Sequence, residues 1–191
     1  MTVIFNSLSY LNWTRGLGLV FVLSMLGSGT HAQDLENMIY LELKTGRVVI
    51  ETLPELAPNH VAQIKELVRE GFYDGIVFHR VIEGFMAQTG DPTGTGRGGS
   101  EKPDLKAEFS HEPHARGVLS MARAQSPNSA NSQFFICLAD ATFLDGQYTV
   151  WGRVIEGMEH VDQIKLGDPN RNGTVTDPDS IVGMVVAADA P

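Results

Sequence analysis

FHRVIEGFMAQTGD, residues Phe78 to Asp91, is two β-prone runs joined at Glu83-Gly84. The first belongs to IVFHRVI (76–82) and the second is FMAQTG (85–90). Side chains alternate across a strand, so Phe78, Arg80 and Ile82 are expected on one face and Val77, His79 and Val81 on the other. Both faces are apolar, which sets Arg80 among hydrophobic residues whichever side is core. Arginine keeps its charge there and carries its donors in a rigid fork. In the second run Met86 and Gln88 share a face. Taken singly, Arg80 could lie along the surface or pair with Glu83, Met86 could be core, and Gln88 a solvated edge.

Upstream, MIYLEL (38–43) and RVVIETL (47–53) are β-rich and joined by KTG, a hairpin with Gly46 at the turn. In PNHVAQIKELVREG (58–71) the period changes. Val61, Ile64, Leu67 and Val68 recur at helical spacing, Pro58 suits the first turn and Gly71 the stop. Downstream, a glycine-rich loop runs from Asp91 to Ser100, and polar chain continues to about Arg116. Further strands are expected at GVLSMAR (117–123), SQFFICL (132–138), YTVWGRVI (148–155) and SIVGMVVAA (180–188). A turn is expected at ATFLDGQ (141–147) and a second amphipathic helix at GMEHVDQIKLG (157–167), with Met158, Val161 and Ile164 on one side. There is no βαβ alternation. The expectation is a mainly β fold: a closed eight-stranded antiparallel β-barrel, which removes sheet edges, capped by two α-helices.

Composition fits one globular domain: 191 residues, 42% hydrophobic and 19% charged. A net charge of -9 repels duplex DNA and anionic membrane surfaces, so no nucleic-acid partner is expected. Cys137 is the only cysteine, forms no internal disulfide and reads as a small buried apolar residue.

The N-terminus has the marks of a processing signal. Arg15 precedes the apolar run GLGLVFVLSMLG (16–27), and SGTHAQ then places the small residues Thr30 and Ala32 before Gln33. Residues 1–32 are therefore expected to be a signal peptide and 33–191 the mature domain, with its core over about 38–189. The apolar run is shorter than the roughly 20 residues needed to cross a bilayer, so no stable membrane insertion is expected after cleavage. The chain stops at AADAP without an ER-retention ending. The periplasm is the expected compartment, with secretion as the alternative.

A second string repeats the chemistry of the first. SQFFIC carries Gln133, Phe134 and Phe135, and parity sends the two aromatics to opposite faces. FLDGQY adds Phe143, Leu144 and Tyr148. By themselves all of these could be core aromatics and aliphatics.

Together, FHRVIEGFMAQTGD, GVLSMARA, NSQFFICLAD and FLDGQYTVWGRVIEGM resemble the cyclophilin family of peptidyl-prolyl cis-trans isomerases. The likeness runs from about Met38 to Asp189 and is similar in type to the bacterial exported members. It implies an eight-stranded barrel capped by two helices, and acceleration of rotation about Xaa-Pro bonds in protein folding, with no cofactor and no metal. By matching position, Arg80 resembles the catalytic arginine and Gln88 the glutamine that holds it. Phe85, Met86, Phe135 and Leu144 resemble the pocket for the proline ring. Ala122 and Arg123 match the segment whose backbone pairs with a polypeptide substrate, Gln133 lies beside it, and Phe143 and Tyr148 occupy the rim. Three positions depart from the best-known eukaryotic pattern: Phe143 for tryptophan, Tyr148 for histidine and Arg123 for asparagine. Loss of the indole N–H implies weak cyclosporin binding.

Other readings rank lower. GTGRGGS (94–100) lacks the G-x-x-x-x-G-K-[ST] pattern and opens no helix. His111, Glu112 and His114 could suggest a metal, but Pro113 separates the histidines and no further ligand cluster is visible. His79 reads as a packed histidine, and no Ser-His-Asp arrangement stands out. The alternative function is a non-catalytic proline-binding chaperone or scaffold module of the same fold.

Overall fold

The computed structural model describes residues 34–191. The expected signal peptide, residues 1–32, lies outside the described residues. Eight strands and two helices follow one another: β1 (Met38–Leu43), β2 (Gly46–Thr52), α1 (Pro58–Arg69), β3 (Arg80–Ile82), β4 (Met86–Thr89), β5 (Val118–Met121), β6 (Phe134–Cys137), β7 (Val150–Glu156), α2 (Met158–Val161) and β8 (Gly183–Val186). Among the described residues no helix is long and apolar enough to cross a membrane.

The strands form one sheet in the order β3-β4-β6-β5-β7-β2-β1-β8, and every neighbouring pair is antiparallel. Alternation builds two apolar layers. Residues such as Ile39 and Leu41 of β1, Leu119 of β5, Phe134 and Ile136 of β6 and Trp151 of β7 enter one large core. Their chain neighbours Val118, Phe135, Cys137 and Val150 join a second, smaller cluster on the other face. Helix α1 covers the large core with Val61, Ile64, Leu67 and Val68, the residues its periodicity singles out. Its N-terminal Ala57 has no capping side chain, so the Glu108 carboxylate accepts from the Asn59 and His60 N–H groups instead.

Three expectations are corrected. The sheet is curled but open, not a closed barrel, because its edge strands β3 and β8 do not pair. The chain from Gly173 to Ser180 fills the seam instead. Phe78 N–H donates to Asp179 O (2.9 Å) and Val81 N–H to Gly173 O (2.8 Å), with isolated bridges Val77–Ser180 and Arg80–Thr174. That segment cannot run as a regular strand: Asn172, Gly173 and Asp177 have positive φ, and Pro178 has no N–H to donate. Second, α2 is a single turn over Met158–Val161 rather than a helix over 157–167. Val161 and Ile164 still reach the core, so the apolar spacing was informative while the hydrogen bonding was not. Third, Phe78 does not share a face with Arg80. Strand alternation starts only at Arg80, and Phe78 lies with Val81 in the large core. His79 is buried as expected, and burial lowers its pKa from the ordinary imidazole value. Cys137 is fully buried, and burial pushes its thiol up to about 12.

Candidate active site

The β3–β4 hairpin carries the first half of the site. Gly84 has φ +65, a conformation open to glycine at little cost, and this tight turn sets Arg80 opposite Gln88 and Ile82 opposite Met86. Strand β6 then lays Phe135 against Gln88 and Cys137 against Met86. The outer face of three adjacent strands therefore presents a cation, an amide and two apolar side chains side by side.

Arg80 is half-buried and firmly held. Its Nε donates to Asn172 O (3.0 Å), Nη2 to Asn172 Oδ1 (3.0 Å) and Nη1 to Gln88 Oε1 (3.2 Å). Gln88 is itself fixed, because its Nε2 donates to Gln133 Oε1 (2.9 Å) and Gln133 Nε2 donates to Gly98 O (2.8 Å). Every strong partner of the guanidinium is a neutral oxygen; among the described residues no carboxylate pairs with it, Glu83 included. Burial pulls its pKa down from the ordinary arginine value, yet a guanidinium stays charged. With five N–H donors and three oxygen partners, the fork keeps donor capacity for a ligand.

Beside Arg80 lies a cleft of about 130 Å³ walled by Phe85, Met86, Phe135, Leu144 and Tyr148. That is the space of roughly four water molecules, enough for one small ring. Met86, Phe135 and Leu144 are buried and belong to the outer cluster, with Phe85 and Tyr148 packed against it. Gln88, Ala122 and Arg123 complete the rim. The Ala122 N–H donates to Gln133 O (2.9 Å), while the Ala122 carbonyl and Arg123 N–H have no hydrogen-bond partner among the described residues. The Arg123 guanidinium lies 4.6 Å over the Tyr148 ring and donates to the Gln147, Ala124 and Gln125 carbonyls, so it braces the rim.

Two expected residues sit beside the cleft rather than in it. Gln133 lines an adjoining polar groove of about 570 Å³ that shares Gln88, Ala122 and Arg123 with the cleft. Phe143 is 65% exposed and leans on Phe85, with ring centroids 5.4 Å apart. The glycine-rich loop 94–100 is no phosphate cradle, because the Thr95, Gly96 and Arg97 N–H groups are turned onto the buried Asp91 carboxylate. His111 is exposed and His114 buried, so the two do not converge on one site. Sequence reading missed Asn172. RNG marks a turn, and Asn172 indeed has φ +54, but nothing local points to Arg80, which lies 92 positions away.

Residues 38–186 match the model of the family described as cyclophilin type peptidyl-prolyl cis-trans isomerase/CLD. The chain belongs to the cyclophilin family of peptidyl-prolyl cis-trans isomerases. Its activity is therefore isomerisation of Xaa-Pro peptide bonds. A Brucella abortus protein described as a probable peptidyl-prolyl cis-trans isomerase is 56% identical over 169 residues, which cover 83% of this chain and 86% of that protein. The crystal structure of a cyclophilin from Hirschia baltica shares 32% identity at a TM-score of 0.74, covering 83% of this chain and 76% of the other. A Cryptosporidium parvum cyclophilin-type isomerase, solved in the presence of the dipeptide Ala-Pro, shares 30% identity at a TM-score of 0.71, covering 78% and 98%.

Proposed function

We propose that the cleft beside Arg80 is the catalytic site, that it takes the prolyl ring of an extended polypeptide, and that the enzyme works in the periplasm once residues 1–32 are removed. The observation that carries the first part is a half-buried guanidinium whose partners among the described residues are all uncharged, at the edge of an apolar cleft. Among the described residues such a charge has no carboxylate partner to neutralise it, and it is aimed by Gln88 and Asn172.

The reaction needs little more. Peptide rotation is opposed by amide resonance, with a barrier of about 18–20 kcal/mol. Before proline the cis and trans forms differ by only about 0.5–1 kcal/mol, so the task is rate and not equilibrium. In the twisted state the imide nitrogen recovers its lone pair and can accept a hydrogen bond. A donor from Arg80 strengthens only as that pair is freed, which lowers the top of the barrier relative to either planar form. Phe85, Met86, Phe135, Leu144 and Tyr148 hold the ring while the preceding chain turns, and the free Ala122 carbonyl and Arg123 N–H offer that chain a backbone pairing edge. Phe143 provides an apolar contact without a ring N–H, which supports weak cyclosporin binding.

Exchange NMR on an Ala-Pro peptide tests the site. The reading expects cis and trans signals to exchange in the presence of the protein, with shifts at Met86, Phe135 and Leu144. Binding without exchange would instead indicate a proline-gripping module. For the compartment, the apolar run 16–27 followed by Thr30 and Ala32 supports export. N-terminal sequencing of protein from fractionated cells is expected to find Gln33 first in the periplasmic fraction; Met1 in the cytoplasmic fraction would overturn it.

A further inference from the structure

Next to the apolar wall of the cleft lies a buried polar chain that the chemistry above leaves unused. His114 is fully buried. Its Nδ1 is 2.9 Å from Asp145 Oδ1, which also accepts from the His114 backbone N–H at 2.8 Å. Its Nε2 is 3.0 Å from Ser120 Oγ, and that hydroxyl lies 3.0 Å from Thr149 O. The His114 carbonyl accepts from Ala141 N–H at 2.7 Å. One residue thus ties β5, the 141–145 turn and the start of β7 together. Hydrogen bonds from the His114 backbone and ring hold the Asp145 carboxyl below its usual range.

The composition is that of a hydrolytic triad, but the geometry is not. Ser120 is fully buried and its hydroxyl faces a carbonyl, so no substrate carbon reaches it. What the imidazole does touch is the cleft wall. It stacks on Phe135 at 17° with centroids 6.2 Å apart and meets the edge of Tyr148 at 83° and 6.5 Å. Leu144 sits on the turn it anchors, directly before Asp145.

We propose that His114, through Asp145 and Ser120, is a positioning residue for the prolyl cleft: it sets the mutual placement of Phe135, Leu144 and Tyr148 without touching substrate. The inference rests on the isomerase reading of that cleft. The ring is gripped in the planar and twisted states alike, so loosening the wall weakens binding of both equally. That raises KM and leaves kcat in place. A histidine with a purely structural role would change stability and neither constant.

The test uses the full chain carrying His114→Leu or His114→Asn, each assayed well below its unfolding temperature. Exchange NMR on an Ala-Pro peptide gives KM and kcat, and chemical-shift titration with the same peptide gives Kd independently of turnover. His114→Leu is expected to raise KM and Kd about tenfold with kcat held within about twofold. His114→Asn keeps a donor where Nδ1 stands and is expected to recover part of the loss. Leu144 and Tyr148 signals of the peptide-free Leu variant are expected to shift, while those of Trp151, in the large core, stay. Wild-type KM and Kd with only a lower unfolding temperature would overturn the proposal, as would a fall in kcat at unchanged KM. If the Leu variant does not fold, Ser120→Ala carries the same test with a smaller expected rise. Its Thr149 carbonyl keeps the Met121 N–H (2.9 Å). A raised Kd in the variants, with no turnover even in wild type, would sink the isomerase reading and support the positioning role.

Discussion

Phe134 and Phe135 are neighbours in the chain and serve opposite faces of the same strand. Phe134 is fully buried against Tyr73 and Trp151, with centroids 5.6 Å and 5.4 Å away, in the core that α1 covers. Phe135 is 5% exposed and packs with Tyr148 and His114 beneath a cleft that opens to solvent. The inner face is mainly apolar, with the buried threonines Thr52 and Thr89 among its residues, and is covered by a helix. The outer face mixes Arg80 and Gln88 with Met86 and Phe135 and leaves a space. One face specifies the fold, and the other spends some packing to keep a site.

Truncating each aromatic separates the two roles most sharply. Phe134→Ala should cost about 3–5 kcal/mol of stability in denaturant unfolding, the usual price of a large buried cavity, with KM of the folded fraction unchanged. Phe135→Ala should lose less stability, since the new space merges with the cleft, yet raise KM about tenfold or more. Equal stability losses with unaltered KM would erase the contrast between the faces.

A smaller effect is expected at the clamp. Asn172→Ala removes the oxygen that receives Nη2 and leaves the backbone carbonyl that receives Nε. Turnover should fall about tenfold to a hundredfold through misplacement of the fork, with little change in peptide affinity. Unaltered kcat would mean that Gln88 and the residue 172 backbone carbonyl suffice to aim Arg80. The smallest effect lies on the rim. Burial opposes ionisation of Asp91, but hydrogen bonds from Thr93 and Gly96 outweigh it and hold the carboxyl at about 2. A folded-state pKa below the ordinary aspartate value of about 3.9 means that its contribution is fully present above about pH 4 and is lost as pH falls towards 2. Amide exchange at Thr95, Gly96 and Arg97 should therefore stay slow down to that range and quicken below it. Loss of protection at higher pH would show that Asp91 does not order the loop.

Much of this was legible in the sequence because the site residues sit in short strands with strict alternation. Parity within each run puts Met86 and Gln88 on one face and separates Phe134 from Phe135; the pairing of β3, β4 and β6 is what brings Arg80, Met86, Gln88 and Phe135 onto the same face. The resemblance supplied what parity could not, that Leu144 and Tyr148 come round to the same cleft from a turn. Asn172 and His114 stayed hidden because their partners lie far along the chain and a loop residue has no period to betray its direction. The barrel was expected to close because eight strands without βαβ alternation lose their edges only on closure, yet of IVFHRVI only Arg80–Ile82 forms a strand, paired with β4. The residues before it bond to the positive-φ, proline-bearing loop across the seam. The second helix was overextended because apolar spacing reports burial of Val161 and Ile164, and burial does not require continued helical hydrogen bonds.

The central claim is that Arg80 acts on the twisted imide while the apolar wall supplies the grip. Both can be read in one sample by titrating Arg80→Ala with an Ala-Pro peptide and recording dissociation constant and cis–trans exchange rate together. The account predicts exchange slower by about 10²–10³, the cost of one electrostatic donor, with affinity altered only a few-fold. Exchange that survives at the wild-type rate, or that falls only in step with lost affinity, would contradict it.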